Sequence, residues 1–67
     1  MFFKKKQRRQ YNIIFGDGSS RIVNGHYMTP LGELMTITEK HEYGGVSVVY
    51  AVPMERVKEI FMMGWVD

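Results

Sequence analysis

From Tyr11 onward, apolar residues recur at every second position, in short runs separated by glycine-bearing turns. A period of two marks strands with one buried face, because successive side chains of an extended chain point to opposite sides. In residues 11–15, Tyr11, Ile13 and Phe15 share one face while Asn12 takes the other. Asp17-Gly18 follows, a favoured type I′ hairpin dipeptide, since both positions reach positive φ at little cost. Residues 20–28 read as the returning strand, with Asn24-Gly25 inside it. That dipeptide makes either a second tight hairpin or a bulge where one long strand bends. The bend is the better reading, because two hairpins so close leave strands of only about four residues.

Thr29-Pro30-Leu31-Gly32 reads as a turn, since proline lacks a ladder donor and fixes φ. Residues 33–39 form the next strand, with Met35 and Ile37 on its apolar side. A polar loop, 40–45, ends in Gly44-Gly45. Residues 46–52 make the strongest strand of the chain, with Val46, Val48, Tyr50 and Val52 on one face. The expected core is Ile13, Phe15, Ile22, Ile37, Val46, Val48, Tyr50, Val57 and Ile60.

The tail allows two readings. Pro53 at a first helical position, with Val57, Ile60 and Phe61 at i, i+3, i+4 spacing, suits a helix. Val52 is a poor N-cap, however, and Met62-Met63-Gly64-Trp65 makes a poor helix end. The alternative is one 3₁₀ turn at 53–56 and a short strand at 57–63. The layout then resembles small five-stranded SH3-like barrels, in strand order and spacing alone. The predicted class is all-β: such a barrel, or a curved antiparallel sheet, with a short turn near Pro53. The alternative fold is a four-stranded antiparallel sheet with one C-terminal helix.

Sixty-seven residues suffice for one domain. A chain of this size buries only about 60% of its unfolded surface, so disulfides, a metal or a second subunit often supplement the core. There is no cysteine, which removes disulfides and thiolate metal sites and leaves oligomerisation as an option. The absence of cysteine also fits a reducing cytoplasm. No apolar run approaches the roughly 18 residues of a membrane span, and none follows the N-terminal charges as in a signal peptide.

Charge is unevenly placed. Residues 1–9 carry Lys4, Lys5, Lys6, Arg8 and Arg9 with no acid. Residues 10–67 carry four basic side chains against seven acids, a net of −3. The expected organisation is a flexible basic arm, 1–9, on a mildly acidic β domain, 10–67.

Catalytic constellations are weak. His26 and His41, with Glu39 and Glu42 near the latter, have no zinc-type spacing. Ser19, Ser20, Asp17 and the histidines contain the residue types of a triad, but turn chemistry accounts for Asp17 and both serines. Gly16-Asp17-Gly18 lacks the third glycine of a dinucleotide loop. No metal, cofactor or enzymatic activity is therefore expected.

Two binding functions remain. The arm residues Lys4, Lys5, Lys6, Arg8 and Arg9 are candidates for nucleic-acid phosphates, through salt-sensitive counterion release. Glu33, Glu39, Glu42, Glu55 and Glu59 are candidates for a protein partner. Met62 and Met63, flexible thioethers near Phe61 and Trp65, suit core filling first. A barrel too small to bury them all would leave Met62, Met63 and Trp65 as an adaptable partner surface. An acidic body would match the phosphate channel of a nucleic-acid-handling enzyme, a mode suited to a small inhibitor or regulator of phage or mobile-element type. The protein-binding reading is preferred.

Overall fold

Six strands and one 3₁₀ turn make up residues 8–66, the part of the chain that the computed structural model describes. They are β1 (Arg8–Phe15), β2 (Ser20–Gly25), β3 (Tyr27–Leu31), β4 (Leu34–Lys40), β5 (Val46–Pro53), the 3₁₀ turn (Met54–Arg56) and β6 (Val57–Val66). The fold is mainly β, as the alternation requires. The C-terminal helix of the alternative reading does not form; Pro53 leads into a single turn, and ten residues of strand follow.

The strands form two antiparallel sheets of three, ordered β2-β1-β6 and β3-β4-β5. Only His26 separates β2 from β3, so the two are halves of one strand that bends from the first sheet into the second. Gly25 makes the bend possible. A Cβ there would collide with Ile37 Cγ2 and stand 3.0 Å from the Thr38 carbonyl oxygen. His26 secures the corner: its N–H donates to Thr38 O at 2.8 Å, and its Nδ1 accepts the Lys40 N–H at 2.8 Å. The expected closed barrel is not reached. β5 and β6 each remain the end strand of a sheet, so the two sheets join through the bend and pack without sealing.

Turn chemistry differs from expectation at two places. Among the described residues none other than glycine has positive φ, so Asp17-Gly18 does not form a type I′ turn. Instead Gly18 N–H donates to Phe15 O at 3.0 Å and Phe15 N–H to Ser19 O at 2.8 Å. This is a three-residue loop whose last position, Gly18, takes φ 92°. The 41–45 loop repeats it, with Gly44 N–H on His41 O and His41 N–H on Gly45 O. The second correction concerns Pro30, which lies inside β3 rather than in a turn. β3 ends its sheet, so a missing N–H there costs no ladder bond. Leu31 pairs with Leu34, and Gly32-Glu33 makes the turn.

Ile13 and Ile37 are completely buried, one from each sheet, with Tyr11 and Val52 nearly so. Phe15, Val23, Tyr50, Val57 and Ile60 pack around this centre. Three expected core residues lie outside it: Ile22, Val46 and Val48 are 55%, 61% and 56% exposed. Ile22 stands opposite Asn12, on the side of β1 away from Tyr11 and Ile13. For the valines the cause is a bulge. Ile37 pairs with Tyr50, yet the next residue, Thr38, pairs with Val48, leaving Val49 as an extra residue. One extra residue reverses the facing of everything beyond it, so Val46 and Val48 turn outward while Tyr50 and Val52 stay inside. β6 carries two such irregularities against β1, at Lys58 and Met63.

Candidate interaction surfaces

The connections between strands collect the charges at two opposite ends. At one end, Gly16 N–H donates to Arg56 O and Met54 N–H to Glu33 O, each at 2.9 Å. These bonds gather the 16–19 loop, the Gly32-Glu33 turn and the 3₁₀ turn. Asp17, Glu33, Glu55 and Arg56 are therefore neighbours in the fold. Glu33 and Glu55 line a shallow hollow of about 400 Å³ with Gly32, Pro53 and Met54. At the other end, the chain enters β1 beside the bend and the end of β4. Arg8 Nη1 meets Glu39 Oε1 at 3.3 Å, a half-exposed ion pair across the two sheets. Such a pair is worth at most about 1 kcal/mol.

The candidate residues are thus divided. Lys4, Lys5 and Lys6 lie outside the described residues. Arg8 and Arg9 are strand residues, since β1 begins at Arg8. Arg9 pairs across the strands with Trp65, and its guanidinium lies 5.0 Å from the indole centroid. Among the glutamates, Glu33 and Glu55 share the connection end, while Glu39 pairs with Arg8. Glu42 sits in the exposed 41–45 loop, and Glu59 stands on β6 opposite Ile14, away from the others. The five do not form one acidic face. Met62, Met63 and Trp65 are all more than half exposed along the outer end of β6.

Between the sheets, at the connection end, a cleft of about 500 Å³ is lined by Phe15, Gly16, Asp17, Ser19, Tyr50, Val52 and Arg56. Its acid is engaged by its own turn. The Asp17 carboxylate accepts the Ser19 hydroxyl at 2.6 Å and the Ser19 N–H at 2.9 Å. Those bonds, the hydroxyl first, hold its pKa below the ordinary aspartate value. Arg21 covers Tyr50 from the first sheet, 4.9 Å from the ring centroid. The triad residue types are dispersed: Asp17 binds Ser19, while His41 Nε2 bonds Ser47 Oγ in the exposed loop at the far end of β5. Among the described residues, no three of His, Asp and Glu converge as a metal site would require. No helix among them is long and apolar enough to cross a membrane.

One surface was not anticipated from the sequence. Residues directly opposite in a sheet share a face, so the register of the second sheet defines its outer side. Tyr27, Thr38 and Val48 form one row there; Thr29, Thr36 and Ala51 a second; Leu31, Leu34 and Pro53 a third. Tyr27, Leu31, Leu34, Val46 and Val48 are all exposed on it. The available signal was the charge-free run 46–53, apolar on both faces, which a strand with one solvated side does not need. The bulge at Val49 decides which valines the surface receives.

No protein-family model, curated protein or solved structure gives a significant match to this chain.

Proposed function

We propose that this chain is a small non-enzymatic module that acts by surface contact with a protein, through the outer face of the β3-β4-β5 sheet. The exposed apolar group Tyr27, Leu31, Leu34, Val46 and Val48 carries this reading. Contiguous apolar surface of this kind on a small domain marks interaction sites more often than solvated faces. The acidic connection end, with Asp17, Glu33 and Glu55, favours a partner with a basic rim, such as a nucleic-acid-handling enzyme in the cytoplasm. An inhibitor or regulator of phage or mobile-element type fits that description. The pairing of β1 with both β2 and β6, and the bent β2–β3 strand, support an SH3-like arrangement left open on one side.

Capture from nuclease-treated host extract tests the reading, using the full chain, a Val46→Lys/Val48→Lys variant and a deletion of residues 1–9. The same protein should be captured by full chain and deletion and lost by the double variant. Capture unaffected by the double variant would refute the choice of face.

A second reading places nucleic acid at the chain-entry end. Arg9 stacked on the half-exposed Trp65 favours it, because cation and indole together suit a phosphate and a base. Lys4, Lys5 and Lys6 precede this strand in the chain. Neutralising five duplex phosphates would give a log–log salt slope of roughly −4.5. Binding that survives deletion of residues 1–9 would contradict it.

A further inference from the structure

We propose that two copies of this chain pack face to face through the outer side of the β3-β4-β5 sheet. The two-fold axis lies in the interface and runs perpendicular to the strands. The inference rests on the surface-contact reading and names one partner for that surface.

The face suits its own copy in shape. Its middle row, Thr29, Thr36 and Ala51, has small side chains, and the rows on either side carry Tyr27 and Val48, and Leu31 and Leu34. A two-fold between the middle row and the Tyr27 row sets the Tyr27 row of one copy over the small middle row of the other. Ridge then meets ridge-flanked trough, the interdigitation by which sheets pack about 10 Å apart. The face also suits its own copy in charge. An isologous interface returns each residue to a symmetry-related patch, so like charges at its centre repel. Among the described residues, the three rows hold none; Lys40, opposite Val46, reaches the face only at its entry end.

Charge at the two ends selects the axis. The connection end has Asp17, Glu33 and Glu55 against Arg56 and Lys58, whereas the entry end has Arg8, Arg9 and Lys40 against Glu39 and Glu42. A perpendicular two-fold lays the entry end of one copy over the connection end of the other. Lys40 then approaches Glu33 of the partner subunit. A two-fold parallel to the strands would bring like ends together, with Lys40 near its own copy.

The core supplies the remaining argument. Only Tyr11, Ile13, Ile37 and Val52 are buried hydrophobics among the described residues, and no disulfide supplements them. A second subunit is one of the few remaining ways for so small a domain to remove apolar surface from water. The footprint is modest. Three strands about 4.8 Å apart, each rising about 3.3 Å per residue over seven residues, present roughly 14 by 23 Å. That is short of a standard interface, which takes about 800 Å² of accessible surface from each partner, so association should be weak and reversible.

Sedimentation equilibrium of the purified full chain, from low micromolar to submillimolar concentration, tests the proposal. A reversible monomer–dimer equilibrium is expected. Val48→Lys should weaken it more than about tenfold, because the charge would be buried without a partner. Phe61→Lys, on the outer side of the other sheet, should leave it unchanged. Lys40→Glu and Glu33→Lys should each weaken it about two- to fivefold, and the double exchange should restore it. A monomer at every concentration, a dimer indifferent to Val48→Lys, or a charge exchange without restoration would overturn the proposal. A monomer that still captures a protein through this face would overturn self-association alone and leave the surface-contact reading standing.

Discussion

Gly25→Ala tests the bend on which the whole architecture turns. The substitution adds one methyl group, and Gly25 is not in the left-handed region, so the penalty is steric rather than conformational. The new Cβ would meet Ile37 Cγ2 and the Thr38 carbonyl oxygen, the latter 3.0 Å away. Neither neighbour yields easily. Ile37 is completely buried, and Thr38 O already accepts the His26 N–H at 2.8 Å. Overpacking of this kind costs about 1–3 kcal/mol. Total stability for a chain of this length is on the order of 3–10 kcal/mol, so the loss is a large fraction of it. Urea denaturation followed by tryptophan fluorescence at Trp65 should show a lower midpoint with an unchanged slope. The thermal midpoint should fall by on the order of 10 °C. Combining Gly25→Ala with Ile37→Ala should cost less than the two separately, because removing Ile37 Cγ2 removes one of the collisions. A Gly25→Ala midpoint equal to wild type within about 0.5 kcal/mol, the ordinary range for surface substitutions, would refute the close approach of β2 and β4.

Two truncations, one at a buried and one at an exposed position, test the observed register against simple alternation. Ile13→Ala should cost about 2–5 kcal/mol by loss of burial and a residual cavity, whereas Val48→Ala should stay within about 0.5 kcal/mol; chemical denaturation reads both, and a large Val48 effect would place it inside the core. Asp17 gives the acid limb a definite sign. Its folded pKa is lowered by the Ser19 hydroxyl and amide, so its contribution is present above the ordinary aspartate value and is lost as pH falls through the lowered one. Asp17→Asn should flatten that portion of a stability–pH profile, and an unchanged acid limb would show that the turn does not hold the carboxylate. Removing the Arg8–Glu39 pair by Glu39→Gln should change the denaturation midpoint by less than about 1 kcal/mol, and the change should shrink as salt is added.

Local sequence determined the strands, because an alternating face needs no long-range information. Residues 11–15 and 46–52 read as β and are β, and Asn24-Gly25 reads as a bend where β2 passes into β3. Val52, a poor N-cap ahead of Pro53, likewise favoured the 3₁₀ turn and a last strand over the alternative helix. Arg8 and Arg9 read as part of a flexible arm but open β1, and Met62, Met63 and Trp65, whose types suit core filling, stay exposed. What it could not determine was facing. Val48 was assigned to the core with Tyr50, but an extra residue at Val49 sends them to opposite sides. A bulge is set by how two strands meet, and alternation within one strand carries no record of it. The glutamates show the same limit: five acids in one chain suggested one acidic face, and folding separated Glu59 from the Glu33–Glu55 hollow and neutralised Glu39 with Arg8. Strand identity follows from side-chain periodicity along the chain; the surfaces follow from register between strands distant in sequence, which only tertiary packing decides.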